Sequence, residues 1–190
     1  MTDNQPSPGS WPAYARLVIE QAIHEDDPKT IKPPPSGSQP FGGAFVTLRM
    51  FGGLRGCMGT LDTDQPLAEA VCYAAVNAAV YDPRFAPLTL AELPDVTIEV
   101  SVLSPPWPMG DLDELELGKH GIVVRSGARR GLFLPQVATE HGFDKETFLT
   151  RCCGEKAGLK PDAWRDPTTE VLLFTTDVYS DADDRSQDSG

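Results

Sequence analysis

At 190 residues, with 40% hydrophobic and 23% charged residues, the chain can bury a core of its own without disulfide or metal staples. Its net charge of −12 and sequence pI near 4.5 disfavour non-specific binding to phosphate backbones and to acidic membrane surfaces.

Residues 1–10 are polar, carry Pro6 and Pro8, and read as a flexible lead. The start lacks a basic and then apolar leader, which argues against a signal peptide. The longest apolar stretch, Ala68 to Val80, is broken by Glu69 and Asn77 and is too short to span a bilayer. Cytoplasm is the expected location, with no membrane partner. A helix is predicted from near Ser10 to about His24, because Tyr14, Leu17, Val18 and Ala22 follow helical spacing. Residues 25–40, with Pro33-Pro34-Pro35 and Ser36-Gly37-Ser38, read as an exposed loop.

From Gly43 to Phe51 the chain alternates, with Ala44, Val46, Leu48 and Met50 on one face and Thr47 and Arg49 on the other. Gly52-Gly53 signals a hairpin turn, and Leu54 to Leu61 is the return strand, with Cys57 near its middle. Pro66 opens a helix whose packing face is Leu67, Ala70, Val71, Ala74, Ala75, Ala78 and Ala79, and Asp82-Pro83 stops it. Thr89 and Glu92 fit a capping box for a short helix. Val96 to Val102 alternates as a strand and ends at Pro105-Pro106-Trp107-Pro108. Ile122–Arg125 and Leu132–Leu134 form a hairpin around Ser126-Gly127, and Leu134-Pro135-Gln136 reads as a strand ending in a fixed turn. Asp144 caps a helix running to Ala157 and closed by Gly158. Val171 to Val178 is a final strand, and residues 181–190 form an acidic, disordered tail. Strands and helices mix without regular βαβ alternation, so the expected class is α+β, a mixed or antiparallel sheet packed with helices over residues 11–180.

Of the cysteines Cys57, Cys72, Cys152 and Cys153, none forms a C-x-x-C pair, and His24, His120 and His141 fall at no metal-ligand spacing from them. Reduced thiols are expected, with no metal and no required cofactor. Cys72, Cys152 and Cys153 lie on predicted helices as packing residues.

The segment around Cys57 carries the chemistry. Gly53, Gly56 and Gly59 recur every third residue, although glycine weakens a strand, and such positions allow a ligand or another backbone to approach. In a flat strand Arg55 shares the face of Cys57 and would stabilise a thiolate. The opposing reading is a buried cysteine packed against the alanine-rich helix, with the glycines making room. Asp82 and Arg84 either orient a polar ligand or hold a turn by a salt bridge. His120, placed in a loop, serves as general base or is simply solvated. Arg125, Arg129 and Arg130 cluster on the later hairpin, as an anion site or as a solvated face.

Leu54-Arg55-Gly56-Cys57-Met58-Gly59, Asp82-Pro83-Arg84-Phe85-Ala86-Pro87-Leu88-Thr89, Ile98 to Leu103, Lys119-His120-Gly121-Ile122 and Leu134 to Ala138 occur in the order of one family. From about Ala13 to Tyr179 the chain resembles the family of the AMME syndrome candidate protein, with Met58 where isoleucine is more usual. The resemblance implies a two-lobed α+β domain, its smaller lobe at roughly 105–165, with the cysteine segment near a cleft between the lobes. It also implies a Memo-like protein and a radical S-adenosylmethionine enzyme as partners. The family has no established reaction, and its cysteine motif is regarded as a candidate active site. The functional expectations are three: an enzyme or enzyme component using Cys57, Arg55 and His120 on a small-molecule or peptide ligand held at Gly53, Gly56, Gly59, Asp82 and Arg84; a non-catalytic adaptor; or a nucleic-acid modification accessory, which the charge opposes.

Overall fold

The computed structural model describes residues 9–25, 27–35, 40–61 and 63–182. Residues 1–8 of the expected lead, Ser36 to Ser38 in the proline-rich loop and 183–190 of the expected tail lie outside the described residues. The fold is α+β, and the chain divides into two compact units, Met1–Val102 with Asp177–Gly190, and Leu103–Thr176. Each unit has its own core.

The first unit begins with α1, Trp11–Ile23, where the Ser10 hydroxyl accepts the Ala13 N–H and Pro12 occupies the first turn, where a missing N–H costs nothing. Strand β1, Gly43–Met50, buries Ala44, Val46 and Leu48 completely, as its alternation predicts. Phe51 and Gly52, at φ 52 and 80, make the two-residue turn into β2, Gly53–Thr60. Both turn residues are left-handed, the combination that matches the twist of a tight hairpin.

Helix α2, Leu67–Val76, lays its alanine face on β1 and β2 and against α1. Its continuation, Asn77–Tyr81, widens into a π-helical turn, and Asp82 is extended (ψ 113) because Pro83 follows. Strand β3, Val96–Leu103, buries Val96, Ile98 and Val100 in the same core. The short β4, Trp107–Pro108, β5, Gly121–Ser126, β6, Arg129–Phe133, and β7, Glu170–Phe174, build the second sheet, in the order β4-β7-β5-β6 with every pairing antiparallel. Helices α3, Pro135–His141, and α4, Lys145–Arg151, contribute Ala138, Phe148 and Leu149 to its core, and Phe133 stacks on Phe148 at 5.5 Å. Asp144 caps α4 by accepting the Thr147 N–H at 2.8 Å, and Cys152 and Cys153 are buried on the π-helical turn after it.

The last strand, β8, Thr176–Ser180, belongs to the first sheet, whose order is β2-β1-β3-β8. A single final strand over Val171–Val178 is therefore corrected to two strands in two sheets. The chain changes sheets at Thr175, whose N–H and carbonyl bond the hydroxyl and N–H of Ser104. The mixed pattern has its cause there, since Val171 to Phe174 are buried throughout whereas Asp177 to Tyr179 are exposed. Asp181, assigned to the tail by composition, is buried instead: it pairs with Arg16 and accepts the Ile98 N–H at 2.9 Å.

Two local expectations also change. Pro135 opens α3 rather than fixing a turn, consistent with proline's tolerance at a first helical position. The capping box at Thr89 and Glu92 forms by half: the Glu92 carboxylate accepts the Thr89 N–H at 2.9 Å, but the Thr89 hydroxyl donates to that same carboxylate, and a short 3-10 turn, Leu93–Asp95, follows.

Candidate functional site

Strand β2 lies at an edge of the first sheet. Two of its glycines are explained from within the protein. A Cβ at Gly56 would sit 2.2 Å from the Ala78 carbonyl oxygen, so only glycine lets the π-helical turn press onto the strand. At Gly59 a Cβ would meet the Phe45 ring at 2.3 Å. Gly53 has just the Met50 carbonyl at 3.6 Å, ordinary contact. The room expected for an arriving ligand at Gly56 and Gly59 is thus occupied by the protein's own helix and neighbouring strand.

The hairpin register slips between Leu48 and Arg49, so that Leu48 faces Gly56 while Arg49 faces Leu54. Arg55 is the extra residue of this bulge, and the flat-strand alternation that paired it with Cys57 is lost. Its guanidinium grips the segment after Asp82 instead: Nε and Nη2 fork onto Glu92 at 3.0 and 3.2 Å, and Nη1 donates to the Ala86 carbonyl at 3.0 Å. The Arg55 guanidinium and the Thr89 N–H hold the Glu92 carboxyl down to about 2. The expectation that Arg55 is the cation at the thiol is accordingly corrected.

That place belongs to Arg84. Its Nη2 donates to the Cys57 carbonyl at 3.0 Å, while the Cys57 N–H donates to Asp82 Oδ2 at 2.9 Å. The Asp82–Arg84 pair therefore does for Cys57 what a neighbouring strand would, closing the open edge at this residue. Asp82 is 4% exposed, and its carboxyl also accepts the Arg84 N–H at 3.1 Å, Nε at 2.9 Å and Nη2 at 2.6 Å. These bonds, those from the guanidinium above all, hold its pKa down to about 2 against the cost of burial.

Because both main-chain groups of Cys57 point to Asp82 and Arg84, Cys57 and Thr47 form a non-hydrogen-bonded pair, the kind whose side chains approach most closely. The Thr47 hydroxyl, on a residue only 5% exposed, donates to the Cys57 sulfur at 3.3 Å. Cys57 itself is half-buried, whereas Cys72, Cys152 and Cys153 are buried, and all four are free thiols. Burial pushes the Cys152 thiol up to about 12 and raises those of Cys72 and Cys153. One thiol of the four combines partial exposure, a hydroxyl donor and an adjacent guanidinium.

His120 belongs to the second unit and is not a solvated loop residue: it is 7% exposed. Its Nδ1 lies 3.2 Å from the Glu116 N–H and 3.1 Å from the Glu114 carbonyl, and its ring packs edge-on to Trp107. Its geometry is that of a histidine engaged in holding its own loop. Of the arginines on the second hairpin, Arg125 is paired with Glu170 and Arg129 donates to the Gly158 carbonyl at 2.8 Å. Thr47 and Glu92 were not among the site residues read from the sequence. An unbulged hairpin closing at Met50 and Gly53 would set Cys57 opposite Val46, so the partner of the sulfur became legible only with the bulge.

A family model described as AMMECR1 matches residues 12–179. A protein of Methanothermobacter thermautotrophicus is 43% identical over 174 residues, covering 87% of this chain and 89% of its own. One from Methanopyrus kandleri is 43% identical over 176 residues, covering 88% and 84% respectively. The crystal structure of an uncharacterized protein from Pyrococcus horikoshii superposes with a TM-score of 0.81 at 36% identity, covering 91% of this chain and 90% of that one. No helix among the described residues is long and apolar enough to cross a membrane.

Proposed function

The chain belongs to the AMMECR1 family, and we propose that it acts as an enzyme or enzyme component through the Cys57 thiol. The observation that carries this reading is the half-buried sulfur receiving the Thr47 hydroxyl at 3.3 Å, on a strand edge fixed by Asp82 and Arg84. A cysteine sulfur is a nucleophile, and the Thr47 hydroxyl and the Arg84 guanidinium lie beside this one. After losing its proton to solvent the sulfur would add to an electrophilic carbon of a small molecule or peptide ligand, forming a C–S bond as that carbon's π bond or leaving group takes up the displaced electron pair, with Thr47 and Arg84 positioning the sulfur for the attack. The test is the pH dependence of Cys57 alkylation in the folded protein. Reaction at neutral pH supports the proposal; a thiol that stays inert up to about pH 9, above the free-thiol range, refutes it.

A second reading, an adaptor for a Memo-like protein and a radical S-adenosylmethionine enzyme, draws on a different observation. Phe51, at the β1–β2 turn, is 84% exposed and left-handed, both costs to the folded chain. Such a residue suits a partner's apolar pocket. Calorimetric titration of each partner with the wild type and with Phe51→Asn separates the outcomes: binding lost in the variant supports the adaptor, and no heat with either partner counts against it.

A further inference from the structure

Two arginines flank the edge of β2, and the chain uses them differently. Arg55 commits every nitrogen to the protein itself: Nε and Nη2 to Glu92, Nη1 to the Ala86 carbonyl, with its side chain only 13% exposed. Arg84 commits Nε to Asp82 Oδ1 and Nη2 to Asp82 Oδ2 and the Cys57 carbonyl, but its Nη1 donates to no group among the described residues. The Asp82–Arg84 pair is also uneven in exposure, with the carboxylate side chain 2% exposed and the guanidinium side chain 49%. An ion pair whose anion is buried and whose cation faces outward presents positive potential to solvent, although its net charge is zero.

The guanidinium is fixed in this attitude. Asp82 and the Cys57 carbonyl hold it from two sides, and its carbon lies 5.5 Å from the centre of the Phe85 ring. Its pKa is raised, chiefly by the bonds to Asp82 and further by the Cys57 side chain, so a permanent cation stands beside the sulfur. A fixed outward donor without an acceptor suits an anion arriving from solvent. Arg55 is already neutralised by Glu92, so a phosphate dianion would find only one available cation, whereas a single carboxylate needs no second. Resting on the reading of Cys57 as the reacting thiol, we infer that its electrophile carries a carboxylate close to the reacting carbon, bound by Arg84 Nη1.

Iodoacetate and iodoacetamide are the probes, because each forms a C–S bond as iodide leaves with the electron pair, and they differ in carrying a carboxylate or a neutral amide. Rates at Cys57 are read by mass spectrometry at constant ionic strength, in the native full chain and in the chain unfolded in urea, which gives the intrinsic ratio. The native ratio of iodoacetate to iodoacetamide should exceed the unfolded one at least about tenfold, the scale of one charge-assisted hydrogen bond. The net charge of −12 works against this preference, so bulk charge does not produce it. Propionate should slow the iodoacetamide reaction of native Cys57, and propionamide should not. Arg84→Gln should return the ratio to the unfolded value, and Arg84→Lys should keep part of the excess; if either variant fails to fold, the wild-type ratio and the propionate comparison decide. Reaction with iodoacetamide at an unraised ratio, or equal slowing by propionate and propionamide, overturns the carboxylate inference and leaves the thiol reading standing. Inertness to both reagents overturns the two together.

Discussion

Thr47 and Cys57 face each other as a consequence of one inserted residue, and the reactivity of the sulfur follows from that pairing. Thr47→Val keeps the volume and β-branching and removes the O–H donor, whose contribution to a charged acceptor is about 1.5–3 kcal/mol. Alkylation of Cys57 at neutral pH should therefore slow by roughly tenfold, and Thr47→Ser should restore the rate. An unchanged rate in Thr47→Val would show that the hydroxyl does not act on the sulfur. Asp82 has a different task, since it touches the Cys57 main chain and Arg84 rather than the sulfur. Asp82→Asn leaves the guanidinium without its counter-charge, and urea denaturation should show a loss of about 2–4 kcal/mol for breaking a buried pair of which one member is half-exposed.

At the scale of elements, the β1–β2 hairpin and the π-helical end of α2 determine one another. Gly56→Ala drives a methyl group into the Ala78 carbonyl, and the overpacking should cost roughly 1–3 kcal/mol, read as a lowered denaturation midpoint. A variant as stable as the wild type would mean that the turn yields. Phe51→Asn should have the opposite sign, because asparagine tolerates the left-handed conformation that phenylalanine adopts at cost: a gain of about 1 kcal/mol is expected in the same experiment. Much of this element was legible in the sequence. The alternation of Ala44, Val46 and Leu48, the glycine turn and the proline stop after Asp82 are local signals, and local signals set these elements. The bulge at Arg55 was not, because it depends on the segment 82–92 receiving that guanidinium, a contact some 30 residues away. The same holds for His120, whose burial is decided by Trp107 and the backbone around Glu116, and for the division of 171–178 between two sheets at Thr175.

For the whole molecule, acid should be the weak side. The carboxyls of Asp82 and Glu92 are both lowered to about 2 in the folded state by arginine partners, below the unfolded range near 4. A depressed folded pKa gives stability that is present above the unfolded pKa and is lost as pH falls through the folded one. Thermal stability should thus decline between about pH 4.5 and pH 2, and the decline should shrink when Asp82 or Glu92 is replaced by its amide. The proposed chemistry of the molecule nevertheless returns to one sulfur. The most direct test is a site-resolved time course of alkylation of all four cysteines in the native protein at neutral pH, read by mass spectrometry of the fragments. Cys57 should be modified at least about a hundredfold faster than Cys152, which is fully buried with its thiol pushed up to about 12. Modification of Cys57 no faster than that of Cys152 and Cys153 would contradict the account.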